Sequence, residues 1–304
     1  MRRSVGGGKA ALKLQLLWDM VSGLWTRLTA EPGKTNDSTS LQKEAPPPAG
    51  SLSLFDLGYF NLERYKTWQV AGAHWISRGI SDMHVWIDGQ SVYLYDWLKT
   101  QPPGPIDCWL EVGAARLRCR LIALRTPQAV ADRRRQKAHE KAKKKGQTPT
   151  ARHLETCDWT VFITSCDNTI LSWQEVIVLY RMRWQIELLF KLWKSHNLLG
   201  HHRSDDPVRQ LVELYAKLTA VIIQHWLTLT TCWSDADLSL TKATRLIRDR
   251  LPSLIDALPD LNQLIAVLTR WKTLLHHLAR IPKRKTDPSH PELLATPMRL
   301  TFIG

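Results

Sequence analysis

Four side chains between residues 180 and 194 have the types and the spacing of a group that could handle a phosphate. Tyr180, Arg183, Glu187 and Lys194 follow one another at steps of three, four and seven residues. On a continuous α-helix these steps place all four within about 60° of one another. One face of the helix would then present a phenol, a guanidinium, a carboxylate and an ammonium group. A lone carboxylate among cations is suited to hold a divalent metal ion beside bound phosphates.

The sequence around this face is basic. Residues 180–203 contain five Lys and Arg side chains, Arg181 and Lys191 among them, and Glu187 is their only acid. A second basic segment, residues 131–150, has eight Lys and Arg against two acids. The whole chain of 304 residues carries a formal net charge of +14. Such an excess is expected of a protein that acts on a polyanion.

Each of these features also has a plain structural explanation. The 131–150 segment could be a solvated charged helix, and Arg183 and Glu187 could form an exposed ion pair of small energetic value. The five cysteines lack the spacing of a zinc site, and no apolar stretch is long enough to cross a bilayer. The sequence therefore favours a cytoplasmic protein without a membrane segment. Gly6–Lys9 only weakly resembles a phosphate-binding loop, because Ala10 stands where a hydroxyl is needed.

A second carboxylate stands at the end of a predicted strand. The segment 51–55 has high β-propensity and runs directly into Asp56, Leu57 and Gly58. A carboxylate at the C-terminal end of a buried strand has the usual position of a functional group in an open α/β sheet. The alternative is that Asp56 caps the following turn. Asp56 and Glu187 are 131 positions apart, so their association requires that the segment between them is an insertion.

Short strands and helices are predicted around these residues from local signals. Leucines alternate with polar residues in the first strands, Asn61 is a suitable N-cap, and Ser172 with Glu175 has the pattern of a capping box. In chain order we expect a hairpin over 12–28, a strand over 51–55, a helix after Asn61, a strand over 73–78, short strands between 85 and 124 that include Ser91–Leu98, a strand over 158–166, one long helix over 172–195 and amphipathic helices after residue 200, with a basic tail from Ile281.

The Tyr180, Arg183, Glu187 and Lys194 spacing, within YRMRWQIELLFKLWK, is similar to the YREK signature of insertion-sequence DDE transposases, the bacterial group called insertion-sequence family four. The segment SLSLFDLGYF resembles that family's second catalytic Asp motif, and the β-rich segment before the helix resembles its insertion subdomain. The resemblance covers most of residues 9–230. It implies an α/β fold with a ribonuclease-H-like mixed sheet, a β-rich insertion and a C-terminal helical region. The implied domains are residues 1–80 and 158–230 for the core, 81–157 for the insertion and 231–304 for the helical region.

The resemblance also implies a site and its partners. Asp56 and Glu187 would be catalytic and would bind two Mg²⁺ or Mn²⁺ ions together with a third acid. Tyr180, Arg183 and Lys194 would contact transposon-end DNA, and Lys191 and Arg181 are added as further DNA-binding candidates because of their charge. The implied partners are double-stranded DNA, in terminal inverted repeats and in the target, and a second copy on paired ends. Such a protein would work at the bacterial nucleoid.

The first catalytic Asp of the family has no counterpart in this sequence. No residue before the predicted hairpin is acidic, and Asp19 and Asp37 stand at places that are non-catalytic in the family. We therefore expect an N-terminally truncated transposase that does not cleave DNA alone. The alternatives are a non-catalytic DNA-binding or oligomerising fragment that regulates a complete transposase, and an unrelated ribonuclease-H-like nuclease. Trp86, Trp97 and Trp109 are candidates for stacking on a displaced base.

Overall fold

The structure is a computed structural model that describes residues 12–40, 45–233, 235 and 237–281. Gly6–Lys9 and the basic tail beyond Ile281 lie outside the described residues. By its contacts the chain divides into two units, residues 1–33 with 184–291 and residues 34–183 with 292–304.

The first unit begins with the predicted hairpin, which is confirmed. Strands β1 (Leu12–Trp18) and β2 (Trp25–Pro32) pair antiparallel, with Leu16 opposite Leu28. Asp19 closes the turn between them, because its carboxylate accepts hydrogen bonds from the Val21 N–H at 2.9 Å and from the Ser22 hydroxyl at 2.6 Å. These bonds lower the pKa of Asp19.

The second unit is built on a seven-stranded mixed sheet. Its strand order is β3, β4, β9, β8, β7, β5, β6, and only the β3–β4 pair is parallel. The elements are α1 (Asp37–Ser40), β3 (Leu52–Phe55), a 3-10 turn (Leu57–Tyr59), α2 (Leu62–Val70), β4 (His74–Arg78), β5 (His84–Ile87), β6 (Gln90–Tyr93), α3 (Leu94–Lys99), β7 (Ile106–Val112), β8 (Leu117–Arg125), α4 (Gln128–Lys143), α5 (Ala151–Glu155), a 3-10 turn (Thr156–Asp158), β9 (Trp159–Thr164) and α6 (Trp173–Met182).

Both faces of this sheet are covered. Neighbouring residues of a strand point to opposite faces, so Trp75 and Ile76 of β4 pack into different clusters. Trp75 faces a large aromatic cluster that includes Tyr65 from α2 and Leu94 from α3. Ile76 faces a second cluster, in which Phe162 from β9 packs with residues of α6. The sheet therefore fixes α2 on one side and α6 on the other.

The segment between residues 81 and 157 differs in part from its prediction. The strand predicted over Ser91–Leu98 is wrong after Tyr93, because α3 begins at Leu94 and buries Leu94 and Leu98 one helical turn apart. The strands of the predicted 81–157 insertion hydrogen-bond into the same sheet as the predicted core strands. The insertion boundaries rest on the family resemblance and stay a prediction; the contacts divide the chain after residues 33 and 183 instead.

The helix predicted over 172–195 is two helices. Helix α6 ends at Met182 and α7 (Trp184–Ser195) begins after Arg183, so the prediction of one continuous helix is wrong. The Arg183 N–H donates to the Tyr180 carbonyl at 3.2 Å, three residues back, which tightens the last turn of α6. The capping box at the start of α6 is confirmed.

The rest of the first unit is helical, as predicted. It consists of α7, α8 (Pro207–Cys232), α9 (Leu240–Ala257) and α10 (Leu261–Leu278). The hairpin turn is held by α8, because the Gly23 carbonyl lies 2.7 Å from Nε2 of the buried His225, whose ring stacks on Trp25 at 3.9 Å. No helix in the described ranges is both long and apolar enough to cross a membrane.

Candidate active site

Asp56 lies where strand β3 meets the next turn. Phe55, the last residue of β3, is buried and opposes Ser77 of β4. Asp56 has an extended backbone, with φ −72° and ψ 157°, and precedes the 3-10 turn Leu57–Tyr59. Its side chain makes no capping hydrogen bond to that turn and is 53% exposed. The capping explanation for Asp56 is therefore wrong, and the carboxylate is accessible.

The turn after Asp56 is fixed by a buried arginine. Arg64 of α2 donates to the Tyr59 carbonyl at 3.1 Å and to the Ser38 carbonyl at 2.6 Å. Asn61 caps α2 by accepting from the Arg64 N–H at 3.0 Å. Arg64 thus connects α1, the turn and α2, and gives the backbone at Asp56 a defined course.

Arg183 reaches this carboxylate from the end of α6. Its Nη1 atom lies 3.5 Å from Oδ1 of Asp56, and its side chain is 19% exposed. Its guanidinium carbon lies 5.6 Å from the centre of the Tyr180 ring. Asp56, Tyr180 and Arg183, predicted from two distant segments, are therefore neighbours in the second unit.

Tyr180 does not face a cleft. It is 7% exposed and packs edge-on against Phe162 of β9, with ring centres 5.2 Å apart. Burial raises the pKa of its phenol. The prediction of a solvent-facing polar stripe is wrong for Tyr180, because the α6 surface that carries it covers the sheet.

The other predicted site residues lie on the two helices around Arg183. Arg181 is half-buried on α6. Glu187 is half-buried on α7, and Lys191 and Lys194 are exposed on the same helix. Helix α7 belongs to the first unit. The association of Glu187, Lys191 and Lys194 with Asp56 stays a prediction.

Sequence reasoning missed a buried arginine that supports α6. Arg120 of β8 is 1% exposed and binds Asp107 of β7 through two bonds of 2.6 and 2.7 Å. It also donates to the carbonyls of Leu171 at 2.6 Å and Cys166 at 3.3 Å, in the loop before α6. The signal was the position of Arg120, which directly precedes the apolar run Leu121–Leu124 of a predicted strand.

The basic segment 131–150 is largely the helix α4. Ala131 and Ala138 are buried on one side, and Arg133 and Lys137 are exposed on the other. The helix is therefore a packed element with a charged outer surface, and it is available to a polyanion on that surface.

The three tryptophans proposed for base stacking differ in their surroundings. Trp86 borders a cleft of about 370 Å³ and carries the Arg116 guanidinium over its ring at 4.4 Å. Trp109 is 41% exposed, and Trp97 packs against the aromatic cluster of the sheet. Trp86 therefore lines a cleft and lies next to a cation.

Comparison with known sequences identifies the class of protein to which this fold belongs. The chain belongs to the transposase DDE domain family, whose model matches residues 2–223. The mixed sheet with its helices and C-terminal helical region is consistent with the ribonuclease-H-like fold of this family, and the predicted resemblance is confirmed. Domains of this family generally use divalent metal ions.

Individual relatives are transposases of insertion sequences. The chain is 29% identical over 302 residues to the transposase for insertion sequence element IS231F of Bacillus thuringiensis subsp. israelensis, with 89% of this chain and 62% of the relative covered. It is 29% identical over 310 residues to that for IS231E of B. thuringiensis subsp. finitimus, covering 91% and 63%. It is 26% identical over 243 residues to that for IS1151 of Clostridium perfringens, covering 73% and 51%. The chain thus spans less than two thirds of the length of these relatives.

Proposed function

We propose that this chain binds transposon-end DNA and contributes two carboxylates, Asp56 and Glu187, to a phosphoryl-transfer site. The observation that carries the proposal is the accessible Asp56 carboxylate at the end of β3, 3.5 Å from the Arg183 guanidinium. A carboxylate and a guanidinium side by side can hold, respectively, a divalent cation and a phosphate oxygen. In a member of the transposase DDE family, a phosphate of the DNA backbone is the expected occupant.

The donor atoms at these positions suit the metal ions of the family. Asp56 offers a half-exposed carboxylate that is not used as a cap, and carboxylate oxygens are the ligands that Mg²⁺ and Mn²⁺ prefer. We assign Asp56 and Glu187 as the residues of this chain that would bind the metal. Two bound ions would activate the attacking oxygen and stabilise the leaving oxygen of an in-line displacement at phosphorus.

The cations would orient the DNA. Arg183 presents a planar fork that matches two phosphate oxygens, and Asp56 helps to hold that fork at the end of β3. Lys191 and Lys194 are exposed and act as point charges for neighbouring phosphates, with Arg181 as a half-buried addition. Tyr180 supports Arg183 by packing beneath it, since its ring lies 5.6 Å from the guanidinium carbon.

We infer that the chain binds such DNA without cutting it. The family's chemistry needs three acids, and only Asp56 and Glu187 match its motifs. Because catalytic groups act as a unit, the loss of one removes most of the rate.

A regulatory role is the second candidate. A chain that binds transposon ends at the nucleoid without cleaving them would compete with a complete transposase for the same DNA. If it pairs with a second copy on paired ends, as the family resemblance implies, mixed complexes would be inactive. The basic outer surface of α4 favours DNA binding independently of the carboxylates.

Fluorescence anisotropy with a labelled duplex, recorded at several KCl concentrations, tests the binding. Arg183→Gln and Lys194→Gln should each weaken binding and lower the slope of log affinity against log salt by about one. Lys272→Gln, which removes a charge from the exposed face of α10, is the matched control and should leave both unchanged. Equal effects of all three variants would show that only net charge matters and would contradict the site.

A further inference from the structure

Two arginines outside the motif residues lie on the α6 side of the sheet. Arg78 is the last residue of β4 and opposes Phe162 of β9. Thr160 is two residues from Phe162, so it faces the same side and is a diagonal neighbour of Arg78, about 7–8 Å away at the backbone. Arg134 of α4 reaches this place, where it donates to the Thr160 hydroxyl at 3.2 Å and to the Thr126 hydroxyl at 2.9 Å.

These two guanidinium groups have no acidic partner. Among the described residues, no carboxylate lies within ion-pair distance of Arg78 or Arg134, and the buried Nε atom of Arg78 has no hydrogen-bond acceptor. Arg135, the next residue on α4, contrasts with them because it pairs with both Asp132 and Asp158. In the described part of the chain, acidic side chains therefore pair with Arg135 but not with Arg78 or Arg134.

Their proximity has an electrostatic cost. Burial lowers the pKa of Arg134, and the nearby charge of Arg78 lowers it further. Half-buried cations that repel one another are unfavourable unless an anion joins them. Tyr180 lies within the field of both Arg78 and Arg183, since both charges lower its pKa against the effect of burial. The cations therefore border the same part of the sheet as the Asp56–Arg183 pair.

We propose that Arg78 and Arg134 together bind a backbone phosphate of the DNA, beside the phosphate that Arg183 contacts. This inference rests on the proposed function, which supplies the class of ligand. Arg134 is held in place by the hydroxyls of Thr126 and Thr160 and by the Trp159 carbonyl, to which its Nη1 atom donates at 3.2 Å. The remaining N–H donors of the two guanidinium groups can bind one phosphate together.

The test compares three charge-neutralising variants in the full chain. Arg78→Gln and Arg134→Gln should each weaken duplex binding by about fivefold or more and lower the salt slope by about one. Arg133→Gln is the matched control, since it removes the same charge from an exposed position on the same helix, and it should change affinity less than about twofold. If Arg78→Gln behaves like Arg133→Gln, the inference is overturned.

Thermal unfolding separates this site from a merely structural role. Arg78→Gln should unfold at or above the temperature of the unchanged chain, because it relieves repulsion and breaks no hydrogen bond. A clear drop in that temperature would instead assign Arg78 a structural role. Arg134→Lys keeps the charge and serves where Arg134→Gln fails to fold; it should keep the salt slope of the unchanged chain but bind the duplex less tightly, because it lacks the guanidinium fork.

Inorganic phosphate distinguishes failure of the site from failure of the proposed function. It should raise the unfolding temperature of the unchanged chain and of Arg133→Gln, and not that of the Arg78→Gln, Arg134→Gln double variant. Stabilisation by phosphate without duplex binding would leave an anion site and contradict the DNA function. Duplex binding that Arg78→Gln leaves intact would keep the DNA function and contradict the site.

Discussion

The buried Arg120 should be the residue whose loss most weakens the support of α6. In an Arg120→Gln variant, both bonds to Asp107 and the bonds to the Leu171 and Cys166 carbonyls are lost. Removing one partner of a buried ion pair costs about 3–5 kcal/mol, because the other charge stays buried without a partner. Asp107 is 20% exposed, so water compensates in part and we expect about 3 kcal/mol.

A neighbouring pair provides the control. Arg116 binds Glu111 at 2.6 Å, with side-chain exposures of 52% and 36%. An exposed pair contributes at most about 1 kcal/mol, and the Arg116 contact with Trp86 adds about 0.5–1 kcal/mol. Arg116→Gln therefore removes the same charge from the turn that joins the same two strands, at a cost of less than about 2 kcal/mol.

Amide hydrogen exchange of peptides from residues 159–183 is the suitable assay, since it reads local opening of β9 and α6. Arg120→Gln should accelerate exchange there by about 100-fold, which corresponds to about 3 kcal/mol. Replacing both partners, as Asp107→Leu with Arg120→Met, should restore much of the protection, because no charge stays buried alone. Equal effects of Arg120→Gln and Arg116→Gln would refute the reasoning.

Three further predictions concern a turn glycine, a buried histidine and a helix cap. Gly23→Ala should destabilise the first unit by well over the roughly 1–2 kcal/mol of left-handed strain expected for Gly50→Ala. Both glycines have a positive φ, but the new methyl group at Gly23 would collide with Trp233 and Leu229, whereas nothing lies near it at Gly50; urea unfolding measures both. Burial lowers the pKa of His225, so its neutral form favours folding and stability should decline as pH falls below about 6.5; His225→Phe should abolish that slope. Ser172→Ala should lower the opening free energy of α6, measured by amide hydrogen exchange, by about 1 kcal/mol. Hydrogen bonds with Ser172 lower the pKa of Glu175, so this loss should become smaller once the pH falls below that lowered pKa and Glu175 is protonated.

Local signals predicted the elements whose ends carry their own hydrogen-bonding residues. The hairpin is closed by Asp19, α2 is capped by Asn61, and α6 starts at the Ser172–Glu175 box, all as predicted. Each of these signals acts within a few residues along the chain. The position of Asp56 was also predictable, because the short predicted strand Ser51–Phe55, in which serine alternates with leucine, ended just before it.

The errors arose where tertiary packing decides. Periodicity alone could not show that α3 replaces a strand at Leu94, since apolar residues dominate both patterns there. The interruption at Arg183 and the burial of Tyr180 follow from how α6 covers the sheet, which the spacing of polar residues does not reveal. The contacts of Arg120 and Arg134 join residues far apart in sequence, and no local pattern indicates their partners.

The most direct test incubates the chain with an end-labelled transposon-end duplex in Mg²⁺ and divides the sample between a native and a denaturing gel. Our account predicts a shifted complex on the native gel, weakened in Arg183→Gln, and intact strands on the denaturing gel. Strands cut by the unchanged chain and left intact by Asp56→Asn would contradict the claim that two matched acids are insufficient. A duplex that is not shifted at all would contradict the DNA-binding function itself.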